Sequence, residues 1–149
     1  MDIADSGTAY KTWIHPSPKA KFLLIHGLGA NSLWWESFAS ASLKQDISSY
    51  AIDLREYKSF ADFFKAIGDF LVKIKEESPK VKIFAIGKSM GALIILSMAL
   101  KDQALFDGIA CISPALKSST PLKPLDYLKI FTPLFYNRDK VYKLSLIHI

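Results

Sequence analysis

The chain has 149 residues, half of them apolar, with 19 Lys and Arg against 14 Asp and Glu and a formal net charge of +5. This is enough apolar material for one domain with a core, and the scattered lysines are typical of a solvated surface. Zinc-type Cys/His spacing, a phosphate-binding glycine loop and the aromatic and basic pattern of nucleic-acid binding are all missing from the sequence, so we expect no metal, no cofactor and no nucleic-acid partner.

The sequence also limits where the protein is expected to act. Residues 1–13, MDIADSGTAYKTW, include two acids and no apolar stretch, so they do not resemble a signal peptide. The longest apolar helix expected, 92–100, is too short to span a bilayer. We therefore expect a cytoplasmic protein, with weak contact to an anionic membrane surface as a minor alternative. The single cysteine, Cys111, is expected to be a small buried strand residue.

In chain order, the pattern predicts alternating strands and helices. The predicted strands are 8–14, 21–25, 49–54, 81–86 and 109–113, and the predicted helices are 32–44, 59–77 and 92–102. Such alternation implies a parallel sheet with right-handed crossovers. In the second helix, apolar residues recur at steps of three and four, which predicts packing against the sheet, and Ser59 with Asp62 resembles a capping box.

A glycine-flanked serine interrupts the fourth strand. Residues 87–91 read GKSMG, between a β-branched apolar run and an apolar helix former. A serine at the apex of such a turn adopts a strained backbone, which the small residues Gly87 and Gly91 permit. The following helix points its free N–H groups toward the same spot and would stabilise an oxyanion there. The segment therefore matches the G-x-S-x-G nucleophile elbow, with Ser89 as the nucleophile.

A second glycine turn lies upstream and agrees with the first. Residues 22–29, FLLIHGLG, carry an apolar strand into a turn, after which Asn31 or Ser32 can cap a helix. Four segments, HGLGANSLWWESFA, SYAIDLR, IGKSMGALI and CISPALK, occur in the order and approximate spacing found in one group of enzymes. The sequence resembles the monoacylglycerol lipase and lysophospholipase-like branch of the α/β-hydrolases over most of residues 20–118.

The resemblance implies roles for individual residues. The backbone N–H groups of Leu28 and Met90 would form the oxyanion hole. His26 would support the oxyanion loop through hydrogen bonds and would not act as the base. The supporting glycines of the two turns are Gly27, Gly87 and Gly91.

The resemblance also implies a function. The expected activity is hydrolysis of carboxylic esters, such as monoacylglycerols or lysophospholipids, through an acyl-enzyme on Ser89. The alternatives are acyl transfer or peptide hydrolysis on the same fold, or a binding protein without catalysis. Lys88 and Ala92 replace the usual histidine and glycine of the branch, and a cation beside the elbow can alter substrate preference.

The base and the acid are harder to place. In this superfamily the order along the chain is serine, acid, histidine, and only His148 follows Ser89, since His15 and His26 precede it. The last six residues, LSLIHI, can be back-translated as CTG TCT CTT ATA CAC ATC, the transposon-end adapter of sequencing libraries. We interpret this tail as adapter read-through and expect the acid and the histidine beyond Lys143.

These observations give a predicted organisation. Residues 1–115 form the N-terminal half of an α/β-hydrolase core, truncated after the strand that follows the elbow helix. Residues 116–143 begin a cap over the active site, or alternatively form a peripheral core helix, and residues 144–149 are adapter-derived. The length agrees, because α/β folds of this kind commonly have about 200 to 250 residues.

Overall fold

One mixed sheet organises the molecule. The computed structural model of the chain describes residues 2–3, 9–55, 57 and 59–115, which belong to the first of two units, Met1–Leu116. The strands are β1 (Asp2–Ile3), β2 (Ala9–Trp13), β3 (Ala20–Ile25), β4 (Ile47–Ile52), β5 (Ile83–Lys88) and β6 (Gly108–Ile112). The helices are a 3₁₀ helix (Ser32–Trp35), α1 (Glu36–Leu43), α2 (Phe60–Glu77) and α3 (Met90–Lys101).

The strand order places three loops side by side. The order is β1-β2-β4-β3-β5-β6, in which β2 is antiparallel to both β1 and β4, while β4, β3, β5 and β6 run parallel. The carboxyl ends of β3, β4 and β5 therefore lie along one edge of the sheet, where α/β proteins commonly bind ligands. The predicted α/β class and parallel pairing are confirmed for these strands.

Helices cover both faces of the sheet. On one face, α2 and α3 pack on β3, β4 and β5 in a large core that includes Ile67, Phe70 and Ile94. On the other face, the 3₁₀ helix and α1 bury Trp35 and Ala39 against Leu24 and Ile86. We call the cluster that contains these four residues the small core. The division follows the alternation of side chains along each strand.

The apolar stripe of α2 packs as predicted. Its buried residues are Phe63, Ala66, Ile67, Phe70, Leu71 and Ile74, whereas Phe60 at the first turn is 46% exposed. Ser59 caps the helix by accepting a hydrogen bond from the Asp62 N–H, and its hydroxyl donates to the Asp62 carboxylate. The predicted start of this helix is therefore confirmed.

The boundaries around the elbow differ from the prediction. β5 begins and ends two residues later than expected, and its end is extended because Gly87 pairs with Ile25 and Cys111 in the neighbouring parallel strands. α3 begins at Met90 rather than at 92, so Ser89 alone separates strand and helix. Similarly, the predicted helix 32–44 begins with a 3₁₀ turn, and β4 ends at Ile52 rather than at 54.

The environment expected for Cys111 was wrong. Its side chain is exposed, because β6 is the outer strand of the described sheet and pairs only with β5 there. The apolar side chains of Ile109 and Ile112 are exposed on the same strand.

A buried charge at the far end of β3 was not predicted. Lys21 is almost fully buried, donates to the Ile74 carbonyl oxygen and lies over the Tyr50 ring, with the Glu77 carboxylate 4.0 Å away. Burial lowers the pKa of Lys21, and the charge on Glu77 acts in the opposite direction. These contacts lie away from the carboxyl edge of the sheet.

Two predicted regions lie outside the described residues: the cap, 116–143, and the tail, 144–149, with His148. Among the described helices, none combines the length and the apolar character needed to cross a bilayer.

Candidate active site

Ser89 occupies the turn between β5 and α3 in a strained conformation. Its backbone angles are φ 52° and ψ −114°, and its side chain makes no capping hydrogen bond to α3. A residue other than glycine in this region costs on the order of 1–3 kcal/mol, so surrounding contacts must maintain the turn. The hydroxyl is left available at the carboxyl edge of the sheet.

The backbone of Ser89 is held by the end of β6. Its N–H donates to the carbonyl oxygen of Ile112 at 2.9 Å, and its own carbonyl oxygen accepts from the N–H groups of Leu93 at 3.2 Å and Ala115 at 3.3 Å. Ser113, between Ile112 at the end of β6 and Ala115 beyond it, also has a positive φ, 44°. The strained turn is therefore fixed from both sides by main-chain hydrogen bonds.

Two glycines allow α3 to pack directly on the strands. A β-carbon on Gly87 would lie 2.5 Å from the backbone of Gly91 and Ala92. A β-carbon on Gly91 would overlap the carbonyl oxygen of Ile25 and lie 2.6 Å from that of His26. Neither position has room for a side chain, which gives a physical reason for both glycines of the G-x-S-x-G motif.

The loop after β3 contacts the serine. A β-carbon on Gly27 would lie 3.2 Å from Cβ and 3.8 Å from Oγ of Ser89. The N–H of Leu28, the next residue, and the N–H of Met90, the first residue of α3, have no acceptor among the described residues. The Gly27 contact thus brings the two loops that carry these N–H groups together.

His26 links two loops of the site. Its side chain is 2% exposed, with Nδ1 2.8 Å from the Gly27 carbonyl oxygen and Nε2 2.9 Å from the Leu54 nitrogen. Because a carbonyl oxygen can only accept, Nδ1 carries the hydrogen, and Nε2 accepts from the Leu54 N–H. Both ring nitrogens are thereby engaged in holding the loop after β3 against the end of β4.

Asp53 and Arg55 form an ion pair in the loop after β4. The Arg55 guanidinium binds the buried Asp53 carboxylate with two hydrogen bonds of 2.8 Å, and the Arg55 N–H adds a third at 3.2 Å. Burial alone would raise the pKa of Asp53, but the charged Arg55 guanidinium and the Arg55 N–H outweigh it and hold the pKa below its usual range. The carboxylate therefore stays ionised and orders the loop after β4.

No described histidine is placed to serve as the base for Ser89. Both nitrogens of His26 are occupied. His15 lies at the opposite edge of the sheet, where its Nε2 is 3.3 Å from the Asp46 carboxylate just before β4. Among the described residues, the structure thus brings Ser89 and the loop after β3 together, without a histidine in position to accept the serine proton.

Two parts of the site were not predicted from the sequence. The first is a contact in which the ammonium group of Lys88 lies over the ring of Trp34, 3.9 Å from the ring centroid. The main-chain contacts from Ile112 and Ala115 to Ser89 are the other. The only sequence signal for the first was a lysine at the end of an apolar strand, and backbone contacts leave no signal in side-chain identity.

Comparisons with known proteins agree on the fold. The family model of serine aminopeptidase, S33, matches residues 16–142. A monoacylglycerol lipase from Paleococcus ferrophilus superimposes with a TM-score of 0.67 and 21% identity, over 82% of this chain and 49% of its own. A soluble variant of monoglyceride lipase from Saccharomyces cerevisiae gives 0.60 and 21%, over 72% of this chain and 41% of its own.

A third solved structure comes from work on carboxylesterases of Nitrososphaera gargenis, with a TM-score of 0.61 and 23% identity over 87% of this chain and 49% of its own. The chain thus spans about half the length of these solved relatives or less. No curated protein sequence matches it. The similarities confirm the α/β-hydrolase fold.

Proposed function

The chain belongs to the serine aminopeptidase S33 family of α/β-hydrolases, and on that premise we propose that the whole protein is a serine hydrolase that cleaves carboxylic esters. The observation that carries this proposal is the state of Ser89. Its strained backbone holds the hydroxyl at the edge of the sheet. The loop after β3 lies beside it, and the Leu28 N–H of that loop is unpaired within the described residues. A strained, accessible serine beside free N–H groups suits nucleophilic attack on an acyl group.

The mechanism follows from these positions. Ser89 Oγ attacks the ester carbonyl carbon, and the N–H groups of Leu28 and Met90 stabilise the negative charge on the carbonyl oxygen. A histidine beyond Lys143, oriented by an acid, takes the serine proton and passes it to the leaving alcohol. Water then attacks the acyl-enzyme, releases the carboxylic acid and restores the serine.

The proposed substrates are small lipid-like esters, such as monoacylglycerols or lysophospholipids, met in the cytoplasm. Two observations support this class. Two of the similar structures are named as lipases of monoacylglycerol or monoglyceride. In addition, the apolar side chains of Leu28 and Leu33 are exposed on the oxyanion loop and the 3₁₀ helix that follows it. An apolar surface there suits an acyl chain.

The name of the family favours a second candidate, hydrolysis of an amide at the N-terminus of a peptide. The same serine and oxyanion groups serve both reactions, because both proceed through a tetrahedral intermediate. The two candidates differ in the leaving group, which is an alcohol or an amine.

One experiment tests both candidates. The whole protein, expressed from its complete reading frame, is treated with a fluorophosphonate probe and assayed with 4-nitrophenyl butyrate and with aminoacyl 4-nitroanilides. The ester proposal expects labelling at Ser89 and turnover mainly of the ester, and the Ser89→Ala variant should lose both. Turnover mainly of anilides supports the peptidase, and neither labelling nor turnover would indicate a binding protein instead.

The position of the base gives a further expectation. Because loss of the triad histidine costs on the order of a millionfold in turnover, residues 1–149 alone should show no appreciable esterase activity. Among the described residues β6 pairs only with β5 and exposes Ile109 and Ile112, so we also expect residues 1–149 to be poorly soluble by themselves. Rapid ester turnover by residues 1–149 would place the base within them and contradict the proposed location.

A further inference from the structure

Lys88 ends a row of otherwise apolar side chains on one face of β5. Side chains alternate along β5, so Phe84, Ile86 and Lys88 share the face that the 3₁₀ helix and α1 cover. Ile86 belongs to the small core and Phe84 packs edge-on against Phe22. The row therefore changes from apolar to cationic at its last member, directly before Ser89.

The ammonium group of Lys88 is held by an aromatic support. It lies 3.9 Å from the Trp34 ring centroid, the shortest such distance among the described residues. Trp34 in turn packs edge-on against Trp35, with ring centroids 4.7 Å apart, and Trp35 is 1% exposed. The Asn31 side chain caps the 3₁₀ helix that carries both rings. Lys88 and Trp34, which we call the cation-aromatic pair, are thus fixed by the small core.

The charge on Lys88 has no carboxylate partner among the described residues. Two acids on elements that adjoin the site have other partners: Asp53, after β4, binds Arg55, and Glu36, at the start of α1, binds Lys11 and the Trp13 indole N–H. The ring of Trp34 attracts a cation but accepts no ordinary hydrogen bond, so the three ammonium donors still favour an anion. Trp34 is 37% exposed, which leaves the pair open to solvent.

The pair is close to the nucleophile. Adjacent Cα atoms are about 3.8 Å apart, so the Lys88 ammonium can be no more than roughly 12 Å from the Ser89 hydroxyl. When an ester is bound at Ser89, a substrate group that lies two or three bonds beyond a glycerol-sized part of the ester could reach the Lys88 ammonium. A charged group on the substrate would then replace the missing carboxylate.

We propose that the cation-aromatic pair of Lys88 and Trp34 is a specificity site that binds an anionic group on the ester substrate. The inference rests on the proposed ester hydrolysis and narrows it to esters that carry a negative charge. The charge is either a phosphate on the alcohol part, as in a lysophospholipid-type ester, or a carboxylate on the acyl part. A lysine ammonium binds either group as a point charge.

The test compares neutral and anionic esters of similar size in the whole protein. One pair is 1-butyrylglycerol and its 3-phosphate, and the other is 4-nitrophenyl butyrate and mono-4-nitrophenyl succinate. A charged hydrogen bond of ordinary strength predicts that kcat/KM for the preferred anionic ester, relative to its neutral counterpart, falls about ten- to hundredfold in Lys88→Met. Lys88→Arg, which keeps the charge, should retain most of the preference.

Lys101 supplies the matched control. Its ammonium group also lies over a ring, that of Phe64 at 4.6 Å, but at the far end of α3. Lys101→Met should leave the anionic-to-neutral ratio unchanged. In the unaltered protein, added salt should lower kcat/KM for the anionic ester and have little effect on the neutral one, which checks the charge without a substitution.

The outcomes separate this inference from the proposed function. If the anionic-to-neutral ratio falls in Lys88→Met for the glycerol esters, the bound group is the phosphate. If it falls for the nitrophenyl esters, the bound group is the carboxylate. Equal ratios in the unaltered protein and Lys88→Met, with the neutral esters still hydrolysed, would overturn the specificity site alone. If no ester is hydrolysed, calorimetric binding of 1-butyrylglycerol 3-phosphate decides: tight binding that Lys88→Met weakens at least tenfold supports the site, and equal binding overturns it.

Discussion

Gly27 lies against Ser89, so that a β-carbon at position 27 would come within 3.2 Å of Ser89 Cβ and 3.3 Å of the Lys88 carbonyl oxygen. These distances are tighter than ordinary contacts but not prohibitive. An added methyl group would therefore move the loop or the serine by a few tenths of an ångström. Such a shift matters little to folding and considerably to the alignment of the proposed nucleophile with the proposed oxyanion donors.

Gly27→Ala should consequently separate activity from stability. We expect kcat on an ester to fall roughly ten- to hundredfold, while the free energy of unfolding changes by less than about 1 kcal/mol. Steady-state kinetics and urea unfolding of the whole protein measure the two quantities. An unchanged kcat would show that the loop adjusts without disturbing the site.

Gly68→Ala is the matched control for adding a methyl group. Gly68 lies within α2, and a β-carbon there would meet nothing within 4 Å. Because alanine is the better helix former, the substitution should stabilise the protein by about 1 kcal/mol and leave kcat unaltered. A loss of stability on urea unfolding would be the contrary result.

Gly91→Ala should instead damage the fold. Its β-carbon would overlap the Ile25 carbonyl oxygen and stand 2.6 Å from that of His26, and backbone atoms of a central strand cannot move aside cheaply. We expect a loss of about 3 kcal/mol or more, in the upper range for overpacking, seen as a lower urea midpoint or as insoluble protein. A variant as stable as Gly27→Ala would mean that α3 is able to shift along the sheet.

The strain at Ser89 predicts that serine at this position, the proposed nucleophile, is not optimal for stability. Glycine tolerates φ 52° and ψ −114° better than serine or alanine does. Ser89→Gly should therefore be more stable than Ser89→Ala by about 1–2 kcal/mol, although both variants lose ester turnover. Thermal melts of the two variants provide the comparison, and equal melting temperatures would indicate that the turn is unstrained.

Asp53 predicts a specific dependence of stability on pH. Its pKa is held below the usual range, so the stabilisation it provides is present at neutral pH and is lost as the pH falls below about 4 toward the folded-state value. Asp53→Asn should cost about 1–3 kcal/mol at pH 7, because the hydrogen bonds from Arg55 lose their charged acceptor. The difference in urea midpoint between the unaltered protein and the variant should shrink at pH 3.

A surface aspartate distinguishes this effect from a general change in charge. Asp69 pairs with Lys65 one turn away on the exposed side of α2. Asp69→Asn should change stability by no more than about 0.5 kcal/mol at pH 7. A loss as large as that of Asp53→Asn would attribute the pH dependence to net charge rather than to the buried carboxylate.

The elements with strong periodicity were predictable from the sequence. The helix α2 follows its apolar stripe and begins at the Ser59 cap, because local spacing and capping determine both. The order of strands and helices was likewise readable, since each strand is a short apolar run between turns. The end of β5 was misplaced because Gly87 looked like a turn residue, whereas pairing with Ile25 and Cys111 keeps it in the sheet.

The candidate site was predictable only in part, for a similar reason. Ser89 and the glycines around it stand in a motif with fixed spacing, so a local reading identifies them. The support of Lys88 by Trp34 joins residues 54 positions apart in the sequence, and nothing in the local pattern indicates the pairing. The exposure of Cys111 depended on its strand lying at the outer side of the described sheet, which is a property of the strand order and not of the apolar run.

The hydrogen bonds from Ser89 to Ile112 and from Ala115 to Ser89 also imply an order of assembly. The elbow looks like a local motif of five residues, yet its strained turn is secured by partners that follow it by more than 20 positions. During synthesis the serine would emerge from the ribosome well before the segment that holds it. Ser89, the proposed nucleophile, would therefore acquire its strained geometry only when β6 joins the sheet, so we expect any reactivity at Ser89 to appear late in folding.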